Sequence, residues 1–582
     1  MLNLLVKYAH DRDIVPLPGF GRKTVKWAIV CDNVGRYQGI VGLGNAEDPR
    51  NQGRMFPVCP ELATFEVAGG SEPRSHFLIE TAQVVALYFR DGEEEKEIEK
   101  VRGKHGFFVR LLRECSSALP EMAAVADTLD DDVTLQRIAS DLRLKRAKPT
   151  DKVTLAVGSD YLVESTAWHT WWENFRRRLA GDKTSNEPMR CFATGQLAEP
   201  MAVLPKISGL SDVGGLPTGD ALICFDKEAF RSYGLEQSTN GAVSENASSA
   251  FRAALNDLLR DHGARLAGAK VVHWFAGSVS TDDDPLGWLV EPAEQQELVA
   301  QERAARLLDS IRTGKRPDLS DNHYYALTVS GASGRVMVRD WMEGQFVDLV
   351  ANIKAWFDDL DIVRRDGDVA ARPPKFLAVV GSLVRDLADV PPALVTRMWR
   401  AAIDRGPIPR SALAQALARA KVDVIADQPA NHARMGLMKA YHIRNSGGGI
   451  PMTTYLNKDH PSPAYQCGRL MAMLAALQRA ALGDVGAGVV QRFYAAASAT
   501  PALVLGRLTR ASQFHLNKLD PRLAYWYESI IGEIWASVGD GVPNVLTLEE
   551  QSLFALGYYQ QLAANRSKTP SAEENKKEET DV

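Results

Sequence analysis

The stretch Arg372-Pro373-Pro374 separates two parts of the chain that have different sequence patterns. Before it, residues 335–341 (RVMVRDW) alternate between apolar and polar side chains, as do residues 325–329, and such alternation predicts strands. After it, alanine and leucine become frequent, apolar residues recur at helical spacing, and strand patterns largely disappear. The sequence therefore predicts an α+β fold, in which a mixed, strand-rich N-terminal region is followed by a C-terminal α-helical bundle.

Three regions are expected along the 582 residues, which are too many for one ordinary domain. An N-terminal α+β region covers residues 1–370 and a C-terminal helical domain covers residues 371–565. The remaining residues, 566–582, form a polar and charged tail, and this composition predicts disorder.

The composition is that of a globular protein, with 45% hydrophobic residues and a net charge of -5. Because the chain as a whole has no basic excess, any binding of nucleic acid must come from a local patch. The six cysteines show no CxxC spacing, which argues against a disulfide framework or a cysteine-rich zinc site and predicts a cytoplasmic location. Neither a signal peptide nor a membrane span is expected.

The lack of a recognisable catalytic motif predicts a non-catalytic protein without metal or cofactor. Residues 19–24 (GFGRKT) have the wrong spacing for a phosphate-binding loop and predict a turn before a strand. Residues 282–284 (DDD) lie between Ser280-Thr281 and Pro285, a composition that favours a surface turn over a metal site. Asp459-His460 precedes a proline and predicts the N-terminal cap of a helix.

The most informative local feature is a basic helical stretch between Arg434 and Lys518. Over these 85 residues, ten basic side chains stand against two acidic ones, an excess of eight positive charges. Such a stretch predicts an electrostatic track for a phosphate backbone. Each phosphate that it neutralises would steepen the slope of log K against log salt by about 0.9 on duplex DNA and by about 0.7 on a single strand. A basic helical face that docks an acidic protein partner is an equal alternative.

Sequence blocks spread over the whole length carry a family resemblance. In the centre, Gly219–Asp226 leads to Ala229–Gly234, Asn240, Val243-Ser244-Glu245 and Ala254-Leu255-Asn256. Near the start stand Pro18-Gly19 and Gly53-Arg54-Met55, and further along the turn Ser333-Gly334. The last third contains Pro463–Gln466, Gly468-Arg469-Leu470, Ala497–Pro501, His515–Leu519 and Gly557–Gln560. Together these blocks resemble the large subunit of the type I-C CRISPR surveillance complex, Cascade.

Some positions depart from the pattern of that family. Cys224 and Asp226 replace the expected serine and asparagine, Gly241-Ala242 replaces an alanine-proline pair, and Ala476 stands where an acid is expected.

The resemblance implies a non-catalytic subunit that recognises the protospacer-adjacent motif on duplex DNA. It also implies support of R-loop formation, retention of the displaced strand and recruitment of the helicase-nuclease, while base pairing with the guide reads the sequence. The implied partners are the guide RNA-loaded backbone subunits, a small subunit, the target duplex, the displaced single strand and the helicase-nuclease, with no membrane. The alternatives are a metal-dependent nuclease with an unrecognised site and a purely structural scaffold.

Two groups of candidate nucleic-acid-binding residues follow from the resemblance. Reading of the motif is expected in the loop Gly42–Met55, whose polar side chains suit contact with base edges, although a merely solvated loop is nearly as well supported. The candidates there are Asn45, Arg50, Asn51, Gln52 and Arg54. The displaced strand is expected to contact the basic stretch at Arg469, Arg479, Arg492, Arg507, Arg510 and Lys518.

Two further expectations concern structure and expression. Ser232-Tyr233-Gly234 and Asn240 are expected to shape a docking turn more than to contact RNA. The resemblance also implies that a small subunit arises from an internal start within the C-terminal third. The in-frame candidates are Met435, Met438 and Met452, and a start at Met452 would give a product of 131 residues, ending at Val582.

Overall fold

A computed structural model describes the chain with several gaps. It describes residues 1–44, 53–62, 66–67, 72–90, 92–180, 187–201, 203–290, 297–367, 369–445, 447, 449, 451–539 and 541–567. The chain forms two compact units: the first unit is Met1–Gly209 with Leu216–Arg260, and the second unit is Leu210–Gly215 with Asp261–Val582. Both units contain helices and strands, and the second ends in helices, which confirms the predicted α+β class.

The first unit contains sixteen described α-helices and β-strands. In chain order they are α1 (Leu2–Asp11), β1 (Phe20–Val25), β2 (Trp27–Cys31), β3 (Tyr37–Gly42), β4 (Arg54–Pro60), β5 (Glu80–Thr81), α2 (Ala82–Val85), α3 (Glu95–Cys115), α4 (Glu121–Asp130), α5 (Asp132–Leu144), β6 (Lys152–Val157), β7 (Asp160–Tyr161), α6 (His169–Ala180), β8 (Met189–Arg190), β9 (Leu197–Ala198) and α7 (Glu245–Asp261).

A five-stranded mixed sheet organises the first unit. Its strand order is β3-β2-β6-β5, with β7 paired to β6, and β2 runs parallel to β6. The strands β1 and β4 form a separate antiparallel pair. Trp168 and Trp172 are fully buried in this core. Ser244 caps α7 by accepting a hydrogen bond from the backbone N–H of Ala247 at 3.3 Å.

The second unit is a sheet followed by helices. Its described elements are β10 (Ala264–Leu266), β11 (Ala269–Phe275), α8 (Pro285–Val290), α9 (Glu297–Arg312), α10 (Pro317–Ser320), β12 (His323–Ala332), β13 (Arg335–Gln345), α11 (Phe346–Leu360), α12 (Phe376–Gly381), α13 (Pro392–Ile403), α14 (Arg410–Ile425), α15 (His432–Asn445), α16 (Pro463–Leu482), α17 (Val489–Ala497), α18 (Pro501–Leu516), α19 (Pro521–Val538) and α20 (Leu548–Arg566).

The sheet of the second unit is antiparallel, in the order β10-β11-β12-β13. The hairpin between β12 and β13 pairs Ala332 with Arg335, so only Ser333 and Gly334 form the turn. Both residues have positive φ, 50° and 86°, as a two-residue hairpin turn that matches the strand twist requires. Glycine adopts this conformation without strain, which explains why the block Ser333-Gly334 suits a turn.

The division into compact units falls near residue 260, whereas the sequence pattern changes near residue 370. The two differ because one apolar core joins the sheet of the second unit to the later helices, from Leu266 to Ala563. The last strand of the described chain, β13, ends at Gln345, and α11 follows it before residue 370. The scheme of 1–370, 371–565 and 566–582 stays a prediction about functional regions. Helix α20 continues to Arg566, and residues 568–582 lie outside the described chain.

Candidate nucleic-acid interface

Burial removes part of the predicted basic track. On α15, the Arg434 guanidinium pairs with the Asp423 carboxylate, and Arg444 donates from Nε to the Asp359 carboxylate at 2.7 Å. Between them, Lys439 donates from Nζ to backbone carbonyl oxygens, and burial lowers the pKa of its ammonium group. A buried charge must be paired or hydrogen-bonded. These three basic residues therefore stabilise the interior and add nothing to a surface track.

Arg469, a predicted strand contact, is also interior, with only 2% of its surface exposed. It lies on α16 and donates from Nε to Gln561 Oε1 at 3.0 Å and from Nη1 to Gln466 Oε1 at 2.7 Å. A third bond reaches the backbone carbonyl of Lys458 at 2.9 Å. Desolvation lowers the pKa of its guanidinium. Arg469 thus ties α16 to α20, and its assignment to the displaced strand is corrected to a structural one.

Two sequence blocks of the last third have the same structural role. Helices α16 and α20 cross so closely that a Cβ on Gly468 would lie within 3.0 Å of the carbonyl oxygen of Phe554. A Cβ on Gly557 would meet the carbonyl oxygen of Tyr465 in the same way. Next to this crossing, Tyr465 donates from Oη to Gln560 Oε1 at 2.6 Å. The blocks Pro463–Leu470 and Gly557–Gln560 are therefore a helix crossing.

The remaining candidates of the basic stretch lie on the surface. Arg507 and Arg510 are exposed on α18, on the same face as exposed Leu503 and Phe514. The spacing of four, three and four residues places these side chains in one row along the helix. We call the row Leu503, Arg507, Arg510 and Phe514 the α18 ridge. The other exposed candidates are Arg479, Arg492 and Lys518.

Large aromatic side chains accompany these charges. Phe514 is 73% exposed on α18 and Tyr525 is 72% exposed on α19, and Trp526, next to Tyr525, is partly exposed. Arg522 is exposed three and four residues before the two α19 aromatics, on neighbouring positions of the helix surface. Exposed aromatic clusters mark interaction surfaces. The combination of arginine and exposed rings is that of proteins that hold single-stranded nucleic acid, because every base has a face on which a ring can stack.

Arg479 belongs to a different part of the surface. It lines a cavity of about 370 Å³ at the C-terminal end of α16, together with Arg365 and Arg566. Arg365 and Arg566 lie outside the stretch 434–518, so counting charges along the sequence does not find them. The α18 ridge, by contrast, could have been found from helical spacing alone.

The predicted motif-reading loop is described only at its edges. Asn45, Arg50, Asn51 and Gln52 lie outside the described residues, which resume at Gly53.

Arg54 begins β4 and is about half exposed. Its guanidinium lies 4.9 Å from the ring centre of Phe56 and 4.7 Å from that of Tyr161, and it pairs with Glu164. The rings hold the arginine in one orientation at the surface. The predicted contact with duplex DNA stays a prediction.

The central block places an aromatic ring in solvent. Tyr233 is 99% exposed and has a positive φ of 58°, in the left-handed region. Asn240 donates from Nδ2 to the carbonyl of Gln237 at 3.0 Å, within a short 3-10 turn. Tyr233 and Asn240 therefore belong to turns at the surface. The predicted docking role of these turns stays a prediction.

Two of the three acidic side chains at residues 282–284 have partners within the fold. Asp282 and Asp283 lie in a short 3-10 turn, in which Asp283 pairs with Arg316 at 2.7 Å. Asp284 accepts a hydrogen bond from His273 Nε2 at 2.7 Å. The interpretation of residues 282–284 as a turn is confirmed. His460 Nδ1 accepts a hydrogen bond from the backbone N–H of Ser462 at 3.1 Å, directly before α16.

Two further observations concern metal ligands and helix length. Within the described part of the chain, no group of three metal-ligating side chains comes together. None of the described helices is both long and apolar enough to cross a membrane.

Comparison with known proteins gives the class of the chain. Residues 5–565, nearly the whole length, match a family described as a CRISPR-associated protein. More particularly, the chain belongs to the Cas_Csd1 family. No curated protein matches it. Membership of this family confirms the CRISPR-associated part of the resemblance and is consistent with the large subunit of a Cascade.

Proposed function

We propose that this chain is the non-catalytic large subunit of a type I-C Cascade. In this function it recognises the protospacer-adjacent motif on duplex DNA, supports opening of the duplex, holds the displaced strand and helps to recruit the helicase-nuclease. Family membership over residues 5–565 supports the setting in a CRISPR complex. Guide RNA-loaded backbone subunits and a small subunit are the proposed partners.

The observation that carries the DNA-binding part is the α18 ridge. Arginine forks bind phosphate oxygens in pairs, and an exposed ring offers a face to an unpaired base. On the ridge, two arginines lie between an exposed leucine and an exposed phenylalanine within about three turns of helix. An acidic protein partner would bind the arginines too, and exposed rings also occur at protein interfaces. The salt slope and the loss of binding in a ring variant separate the two partners, because only a strand has both phosphates to neutralise and bases to stack.

The experiment compares guide-loaded complexes assembled with and without this chain. Each complex is titrated with target duplex that carries either the intact or a scrambled flanking motif. We expect tight binding only when both the chain and the intact motif are present. If the chain raises the affinity for both duplexes equally, it is an electrostatic clamp and motif reading belongs to another subunit. Cleavage of DNA by the isolated chain that EDTA abolishes would instead support a nuclease.

The internal start is proposed at Met452. Met435 and Met438 lie inside α15, so a start there would cut through a helix, whereas Met452 precedes α16 and leaves α16–α20 whole. Expression of a Met452→Leu variant should therefore abolish a co-purifying C-terminal fragment, because it removes the start codon with little change in volume. Met438→Leu is the matched control and should retain the fragment. If wild-type preparations contain full-length chain alone, this proposal is wrong.

A further inference from the structure

Two adjoining cavities lie in the second unit, beside the C-terminal ends of α16 and α20. The smaller cavity, about 370 Å³, is lined by Arg365, Arg479 and Arg566 among others. The larger cavity, about 670 Å³, is lined by Arg365 and Arg372 among others. Arg365 and Tyr559 line both cavities, so the two meet at these side chains. We call the region around Arg365, Arg479 and Arg566 the three-arginine groove.

The three guanidinium groups lie within electrostatic reach of one another. After burial itself, the positive charges of Arg365 and Arg479 lower the pKa of Arg566. In the part of the chain that the structure describes, none of the three guanidinium groups forms an ion pair or a hydrogen bond. Three like charges that converge without such a partner repel each other, so their convergence opposes folding unless an anion is bound.

Acidic side chains near the groove do not remove this excess. Asp366 lines the larger cavity and its negative charge raises the pKa of Arg566, but its carboxylate pairs with Arg364 at 3.2 Å. Asp427 and Asp484 line the smaller cavity and are exposed to solvent. They reduce the positive potential of the smaller cavity without forming ion pairs with its arginines.

The stabilisation of helix ends explains only two of the three arginines. Arg479 lies in the last turn of α16 and Arg566 is the last residue of α20, where a positive charge interacts favourably with the helix dipole. Arg365 lies in the segment between α11 and α12, at no helix end. Its approach to the other two is therefore not accounted for by helix capping.

We propose that the three-arginine groove binds a phosphodiester group of a nucleic-acid strand. This inference rests on the proposed function, which supplies two such strands, the guide RNA and the displaced DNA. Arginine presents a rigid, always charged fork that matches phosphate oxygens, and charge-assisted hydrogen bonds are the strong ones. Tyr559, which lines both cavities, is held in place, since its Oη donates to the Val363 carbonyl at 2.8 Å. The groove therefore combines a fixed tyrosine with three arginine side chains along one cavity wall.

The test measures binding of the full-length chain to labelled single-stranded DNA and to single-stranded RNA of guide sequence over a range of salt. In the Arg365→Gln/Arg566→Gln double variant, affinity for at least one strand should fall about tenfold. The slope of log K against log salt should decrease by about 0.7 for each phosphate that the variant no longer neutralises. If only RNA binding weakens, the groove binds the guide. If only DNA binding weakens, the groove binds the displaced strand. Equal decreases show that the groove accepts either backbone.

The matched control is Arg306→Gln, which removes the same charge from an exposed position on α9, where Arg306 pairs with Glu302 at 3.4 Å. This variant should bind both strands as the wild type does. A decrease in affinity equal to that of the groove variant would show a general charge effect and would overturn the proposal. Unchanged binding by the groove variant would also overturn it. If the double variant fails to fold, Arg365→Gln alone carries the test, because Arg365 caps no helix.

A parallel variant, Arg507→Gln/Arg510→Gln, separates the two proposals. If the ridge variant binds more weakly while the groove variant does not, the groove is refuted and strand binding stands. If neither variant binds more weakly, the proposed holding of the strand fails as well.

Discussion

Replacement of Phe514 by alanine tests whether the α18 ridge stacks on bases. Phe514 is 73% exposed, so its removal leaves no cavity in the core. We expect the free energy of unfolding to change by no more than about 0.5 kcal/mol, as for most surface substitutions. A decrease in DNA binding by this variant would therefore not reflect misfolding.

The expected magnitude follows from what the ring can contribute. Stacking of a base on an aromatic side chain is worth about 1–3 kcal/mol, which corresponds to an affinity for single-stranded DNA weakened by roughly 5- to 150-fold. Because the ring is uncharged, the slope of log K against log salt should not change. The double variant Arg507→Gln/Arg510→Gln should behave differently, since two phosphates that are no longer neutralised decrease that slope by about 1.4.

The assay is fluorescence anisotropy with labelled single-stranded DNA, titrated with full-length chain between about 50 and about 200 mM salt. Leu503→Ala is the matched control. Leu503 lies on the same ridge and is 68% exposed, but it has no ring to stack on a base. Its replacement should change the affinity by less than about twofold, in keeping with the small effect of exposed substitutions.

Two results would refute the reasoning. If Phe514→Ala binds like the wild type at every salt concentration, no base stacks on this ring. If Leu503→Ala weakens binding as much as Phe514→Ala does, the ridge is a general apolar contact and not a stacking site.

Three further predictions concern the crossing helices, the N-terminal strand pair and pH. Gly557→Ala should lower the melting temperature, because its Cβ meets a backbone carbonyl and overpacking costs about 1–3 kcal/mol, whereas Gly532→Ala, with open space around it, should not. Arg54→Ala should weaken binding of motif-bearing duplex to the guide-loaded complex, and Arg113→Ala, another exposed and paired arginine of the first unit, should not; equal affinities would exclude Arg54. Burial lowers the pKa of His442 to about 4, so urea midpoints should fall as pH decreases from about 6.5 to 4, where the unfolded state binds the extra proton. His442→Gln should reduce that fall, and an unchanged pH profile would contradict the assignment.

The fold was predictable where the pattern is local. The alternating residues 325–329 and 335–341 lie within β12 and β13, as expected. The compact units were not predictable, because they depend on contacts between distant segments. Leu266 of β10 and Phe554 of α20 belong to one apolar core, and no local pattern links two residues so far apart in the chain.

The candidate interface was predictable only in part, for a physical reason. Counting charges along the chain treats every arginine as exposed, yet α15 and the first three turns of α16 are buried on nearly all sides. Arg434 and Arg469 therefore contribute to packing and not to surface charge. Conversely, Arg365 and Arg566 reach the groove through the tertiary fold, which the sequence does not display.

Binding of DNA by a chain with a net charge of -5 depends on how far charges act in salt. At physiological ionic strength, interactions between exposed charges are screened beyond about 8 Å. A phosphate on the α18 ridge therefore responds to Arg507 and Arg510 and hardly to acidic side chains elsewhere on the surface. At low salt the screening length grows to about 30 Å, and the acidic remainder of the chain opposes approach. The proposed binding of a strand to the ridge at cellular salt concentrations therefore depends on the local arrangement of charges and not on the net charge.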